Sequence, residues 1–129
     1  MRDLKNNLDG VNSLAPAAYT ASTNGSGVDL KGYSGAMVVF HAGTADTGNA
    51  DETYTPGVEE SDDNSTFSAV AASDLEGVLA NMTANSVQRA GYKGSKRYVR
   101  AVMTLGGTTP SINASALVVR GLPHAAPVA

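Results

Sequence analysis

At 129 residues the chain has room for one ordinary domain whose core needs no disulfide or metal staple. It holds no cysteine, which excludes disulfide frameworks and thiolate metal sites. Its 9 Lys and Arg against 12 Asp and Glu leave a net charge of -3, whereas a dedicated nucleic-acid binder carries a clear positive excess.

Gly, Thr, Ser, Val and Asn are frequent, while the surface helix formers Glu, Lys and Gln are scarce, so strands and turns are expected. The polar opening MRDLKNNLDG lacks the apolar segment of a secretion signal, and no run approaches the ~18 apolar residues that cross a bilayer. Synthesis in a bacterial cytoplasm and no membrane partner are the expectations. Residues 1–12 read as an N-terminal arm closing on the turn signal Asp9-Gly10. SLAPAAYTAS (13–22) predicts a first strand, held to a sheet edge by Pro16. After the turn 23–27, Val28-Asp29-Leu30 alternates in the manner of a strand. Residues 36–42, AMVVFHA, form the clearest central strand, apolar on both faces. A polar loop (43–53) leads to a strand over 54–60, the tight turn Ser61-Asp62-Asp63-Asn64-Ser65, and a returning hairpin arm over 66–71. Residues 73–77 predict one helical turn. Further strands are expected over 84–90, 96–105 and 114–120, with a hairpin loop at 106–110. The tail GLPHAAPVA (121–129), with two prolines and no periodicity, reads as extended.

About eight short strands with turn signals every 8–12 residues predict an all-β antiparallel sandwich, most simply a jelly roll with extended arms at both ends. The division is thus an arm (1–12), a sandwich (13–120) and a tail (121–129).

Catalytic signals are weak. His41 follows the most apolar strand and His124 lies in the proline-flanked tail, where a general base is not held rigidly. No serine sits in a recognisable nucleophile elbow. Neither an enzyme nor a cofactor is expected. Between Lys31 and Arg89 there is no cation, but there are nine carboxylates: Asp46, Asp51, Glu52, Glu59, Glu60, Asp62, Asp63, Asp74 and Glu76. Oxygen-rich stretches such as DTGNADE and EESDDNS have the ligand chemistry of calcium, though not the spacing of an EF-hand loop. The plainer alternative is that Asp62, Asp63 and Asn64 are turn formers capping their own backbone. The run SDDNSTF also resembles a propeller Asp-box hairpin, but it is one residue short and occurs once.

The basic residues concentrate in GYKGSKRYVR (91–100), which holds Lys93, Lys96, Arg97 and Arg100, with Arg89 just before it. Alternation puts Arg97, Val99, Ala101, Met103 and Leu105 on one face, and Lys96, Tyr98, Arg100, Val102 and Thr104 on the other. Cations flanking a tyrosine can meet phosphate or carboxylate. With acid and base segregated along one acidic chain, complementary protein contact is the preferred reading, within the fold or between copies, and nucleic acid is not an expected partner.

The combination of GYSGAMVVFHAGT, VEESDDNSTFSAVAASDLEG, VQRAGYKGSKRYVRAVMTLGGT and the tail GLPHAAPV resembles a family of small head-associated proteins of tailed phages and prophages, over roughly residues 28–128. The most specific parts are the ESDD-ST-F hairpin and the GYKGSKRYVR strand. The resemblance implies a capsid cement, or decoration, protein that binds the outer surface of the major capsid protein's shell. A head–tail connector or tail component has similar composition, and a calcium-dependent carbohydrate-binding or adhesion module stays open as another class. Self-association on the capsid lattice and a place in the virion follow from the cement reading. The residues expected to face partners are Arg89, Lys93, Lys96, Arg97, Tyr98 and Arg100, the acids Glu59, Glu60, Asp62 and Asp63, and Leu122 and Pro123 of the tail. Reversing Lys96 and Arg100 together is expected to weaken attachment while leaving the fold intact.

Overall fold

A computed structural model describes residues 3–127 and shows an all-β chain. Its strands are β1 (Asp9–Tyr19), β2 (Thr23–Asn24), β3 (Val28–Asp29), β4 (Tyr33–Ala45), β5 (Thr53–Ser61), β6 (Ser68–Ala69), β7 (Leu75–Glu76), β8 (Val87–Tyr92), β9 (Tyr98–Gly106) and β10 (Ile112–Pro123). One 3-10 turn, Ala72–Asp74, precedes β7 where a helical turn was expected.

All strand pairs are antiparallel, and they nest. The outermost pair is β1 with β10; β2 and β3 pair with β9, β4 with β8, and the innermost pair is β5 with β6. Successive pairs fall in opposite sheets. Pairing of β10 with β4 and of β9 with β5 then completes the orders β1-β10-β4-β8-β7 and β2-β9-β5-β6. This is the jelly-roll sandwich that the turn spacing predicts. Ten strands replace about eight because the second position is split into β2 and β3 and a two-residue β7 is added.

The core follows from alternation. Val38, Phe40 and Ala42 of β4, Val99, Ala101 and Met103 of β9, and Ala114, Ala116 and Val118 of β10 are all buried between the sheets. Each fully buried large apolar side chain contributes ~1.5–3 kcal/mol relative to exposure. β1 is an edge strand as Pro16 predicts, and Pro16 sits inside a register shift between Leu14 and Ala17. A missing N–H costs least at such an edge.

Two polar side chains tie the layers. Ser13, buried in β1, accepts the Ala101 N–H of the opposite sheet at 2.8 Å and donates to the Ser26 carbonyl at 2.8 Å. A Cβ on Gly25 would stand 2.6 Å from both Ser13 oxygens, so this crossing requires glycine. The buried Tyr54 places its hydroxyl between the Asp46 and Ser111 carbonyls and accepts the Ser111 N–H at 3.1 Å, joining two loops at one end of the sandwich.

Several expected boundaries are corrected. Asp9–Asn12, placed in the arm by sequence, belong to β1, and Gly121–Pro123, placed in the tail, belong to β10. The reason is mutual pairing: Asp9 lies opposite Arg120, and their side chains form an ion pair. Residues 23–27, read as a turn, contain β2, and the arm expected over 66–71 is only Ser68–Ala69 in strand form.

Candidate functional site

The motif GYKGSKRYVR spans the end of β8, a connecting loop and the start of β9. Its loop is built around Tyr92. That ring is buried against the core, its O–H donates to Glu60 Oε1 at 2.7 Å, and its oxygen accepts the Lys96 N–H at 3.0 Å. Burial first, and then the hydrogen bond to the Glu60 carboxylate, push the phenol well above its ordinary pKa. A Cβ on Gly94 would lie 2.5 Å from the Tyr92 oxygen, so the loop closes over this ring only with glycine there.

From Tyr98 onward β9 alternates as predicted. Val99, Ala101 and Met103 enter the core and Arg100 points outward. The cations of the motif are matched one by one. Arg100 faces its register partner Glu59 on β5, with Nε at 2.8 Å and Nη2 at 2.5 Å from the same carboxylate oxygen. Its guanidinium also lies 4.1 Å from the centre of the Phe67 ring. Lys96 Nζ meets Asp62 at 2.7 Å, and this contact raises the pKa of the ammonium. Lys93 Nζ meets Glu76 at 2.8 Å. Arg97 holds Asp29 with two bonds, at 2.9 and 2.8 Å, which draw the Asp29 carboxyl down to about 2.

Three of these four carboxylates, Glu59, Asp62 and Glu76, come from the acidic block 46–76, and Asp29 comes from outside it. The complementary contact inferred from the charge segregation is therefore made within the fold. Lys96 and Arg100 carry carboxylates of their own chain. Glu60 faces inward to Tyr92, while Tyr98 lies half-buried beside Arg97.

The acidic turn is a set of backbone caps. Asp63 Oδ1 accepts the N–H groups of Ser65 and Thr66, each at 2.9 Å, and the Ser61 hydroxyl. Those bonds, the backbone ones first, lower its pKa to about 2. Asp46 likewise accepts the Gly48 N–H, and Asp51 accepts the Thr108 N–H and hydroxyl. Among the described residues no three His, Asp or Glu side chains converge in a metal-binding arrangement.

The remaining expected partner residues lie elsewhere. Arg89 is exposed on the outer face of β8 and makes no ion pair or side-chain hydrogen bond among the described residues. Leu122 is exposed near the end of β10, and Pro123 pairs with Tyr33. A cleft of about 480 Å³ opens at the same end, between Tyr33, Tyr92, Lys96, Arg97 and His124. One face of Tyr33 is covered by the Arg120 guanidinium at 4.5 Å, which removes that face as a stacking platform for a sugar.

Sequence reasoning missed Arg120. It bonds the Asp29 carbonyl and Asp9, and so links β10 to β1 and β3. It also missed the outward set of the central sheet. The text AMVVF signals a strand apolar on both faces, yet only one face of that sheet is covered by the other sheet; Met37 and Val39 were the available signal.

No family model and no curated protein sequence matches the chain. Among solved structures the chain is similar to one described as "Structure of infectious bursal disease virus Gx strain", at 13% identity and a TM-score of 0.38. The match covers 93% of this chain and 34% of the other, so this chain spans about a third of that one's length.

Proposed function

We propose that this chain is a structural protein of a tailed-phage virion, a cement protein that seats on the outer surface of the capsid shell and stabilises it. The observation that carries this reading is the union of the two segments on which the family resemblance rests most. The ESDD-ST-F hairpin and the GYKGSKRYVR strand are distant in sequence but interlock through Arg100–Glu59, Lys96–Asp62 and the stacking of Arg100 on Phe67. They are one physical unit. The jelly roll supplies a rigid body suited to such a role, an architecture shared with viral capsid domains.

In this reading the partner is the major capsid protein, with neighbouring copies on the lattice as a second contact. The cations of the motif are held by carboxylates of the chain itself, which leaves them poorly placed to hold a phosphate. The solvent-exposed pairs Lys96–Asp62 and Lys93–Glu76 set register and partner choice more than affinity. No helix of the described residues is long and apolar enough to cross a membrane.

The test is to mix purified protein with expanded, DNA-free shells of the phage that carries the gene, then sediment and image the particles. Ordered density on the outside of the shell and a higher shell disruption temperature are expected. Density confined to the tail vertex would move the protein to the connector or tail, and no co-sedimentation at any salt would overturn the proposal.

A further inference from the structure

The two outer faces of the sandwich differ in kind. On the β9–β5 sheet the outward rows are mixed, with Arg100 opposite Glu59, Val102 opposite Gly57 and Thr104 opposite Thr55. On the β1-β10-β4-β8 sheet the middle rows are apolar, and Ser115 and His41 stand in the row beside them, next to Val87. The register sets Leu117, Val39 and Arg89 side by side in one row, and Val119 and Met37 in the next. Val87, 59% exposed, flanks them two positions along β8 from Arg89. Val78, 94% exposed, stands in the loop after β7 beside Met37 and Arg89. Toward the other end Leu122, 66% exposed, lies over Gly35, and Leu8 lies over Gly121. A solvated antiparallel sheet alternates polar side chains outward. A continuous apolar strip in their place marks a contact surface.

We propose that this face is the one that seats on the partner protein, and that the partner brings an apolar surface with a carboxylate placed to meet Arg89. The proposal rests on the cement-protein reading for the identity of that partner. Charge decides between another protein and a second copy. Arg89 is the cation of this strip and has no carboxylate partner among the described residues, whereas the four cations of residues 91–100 all have one. The acid nearest on this face is Glu76, already held by Lys93 at 2.8 Å. Two copies packed face to face could pair Arg89 only by drawing the exposed Glu76 away from Lys93. A different surface supplies a carboxylate without that exchange. Arginine within an apolar patch is also the composition of an interface centre, where charged groups are otherwise depleted.

The experiment compares shell binding of the full chain with that of Arg89→Glu and Leu117→Asn, both at exposed outward positions that spare the core. Lys31→Glu, the same charge change away from this face, is the control. Binding to expanded shells is measured by co-sedimentation, and the oligomeric state of free protein by sedimentation velocity. Losses of ~10-fold or more for both face variants, with Lys31→Glu unchanged, are expected. Wild-type protein that binds shells while both face variants bind equally well overturns this inference and leaves the cement reading standing. Wild-type protein that does not bind shells overturns the cement reading and the partner named here with it. A wild-type dimer that the face variants convert to monomer makes the occupant a second copy, and the proposal is then wrong.

Discussion

Truncating Arg100 tests whether the charged strand serves the fold. Arg100 and Glu59 are 20% and 25% exposed, between a surface pair worth ~0–1 kcal/mol and a buried pair whose disruption costs ~3–5 kcal/mol. Arg100→Gln deletes the charge-assisted bonds to Glu59, leaves that carboxylate partly desolvated, and removes the cation from the Phe67 ring, a contact worth ~0.5–1 kcal/mol. Together these give a loss of about 2 kcal/mol. Glu59→Gln keeps an acceptor oxygen and should cost about 1 kcal/mol. The double variant should lose less than the sum, with a coupling of about 1 kcal/mol. In urea unfolding, with a slope of ~2 kcal/mol/M, Arg100→Gln then lowers the midpoint by ~1 M. Strictly additive single effects would refute the claim that this pair holds β5 to β9. The same geometry changes what joint reversal of Lys96 and Arg100 does: Arg100→Glu sets two carboxylates opposite each other across a strand pair, so the fold suffers before attachment is measured.

Two further outcomes follow from the polar ties. Ser13→Ala leaves the Ala101 N–H and the Ser26 carbonyl unpaired inside the sandwich, at a cost of ~2–3 kcal/mol, and calorimetry should show the melting temperature falling by ~8–12 °C. Acid should weaken the fold between about pH 5 and pH 2, because Asp29 and Asp63 titrate near 2 in the folded chain and near 3.9 when unfolded. The unfolded chain takes up those protons first as pH falls, so the stability that the ionised carboxylates contribute is present above the unfolded value and lost below it. Urea midpoints across this range should fall less steeply for Asp63→Asn than for wild type.

What the sequence disclosed was what local pattern controls. AMVVFHA is apolar but for His41 and became the middle strand of its sheet; the alternation of Val99, Ala101 and Met103 put the right residues in the core; EESDDNS turned where the Ser61 and Asp63 side chains cap the backbone. What it concealed depends on a partner far along the chain. DGVN and GLP (121–123) carry no strand signal of their own and are strands because Asp9 and Arg120 meet across β1 and β10. The charge segregation was visible, but that Arg97 takes Asp29 while Lys96 takes Asp62 was fixed by register and loop path. The apolar strip was hidden for a related reason, since periodicity alone cannot tell a strand covered on both faces from one covered on a single face.

The outermost pairing has a mechanical meaning. The start of β1 and the end of β10 lie side by side, so a pull that separates Asp9 from Arg120 opens this seam one hydrogen bond at a time, like a zip. A load carried through the broad face of the same sheet is shared among its strands at once. If the molecule is to hold a pressurised container together, it must be gripped by its flat side and never by its ends.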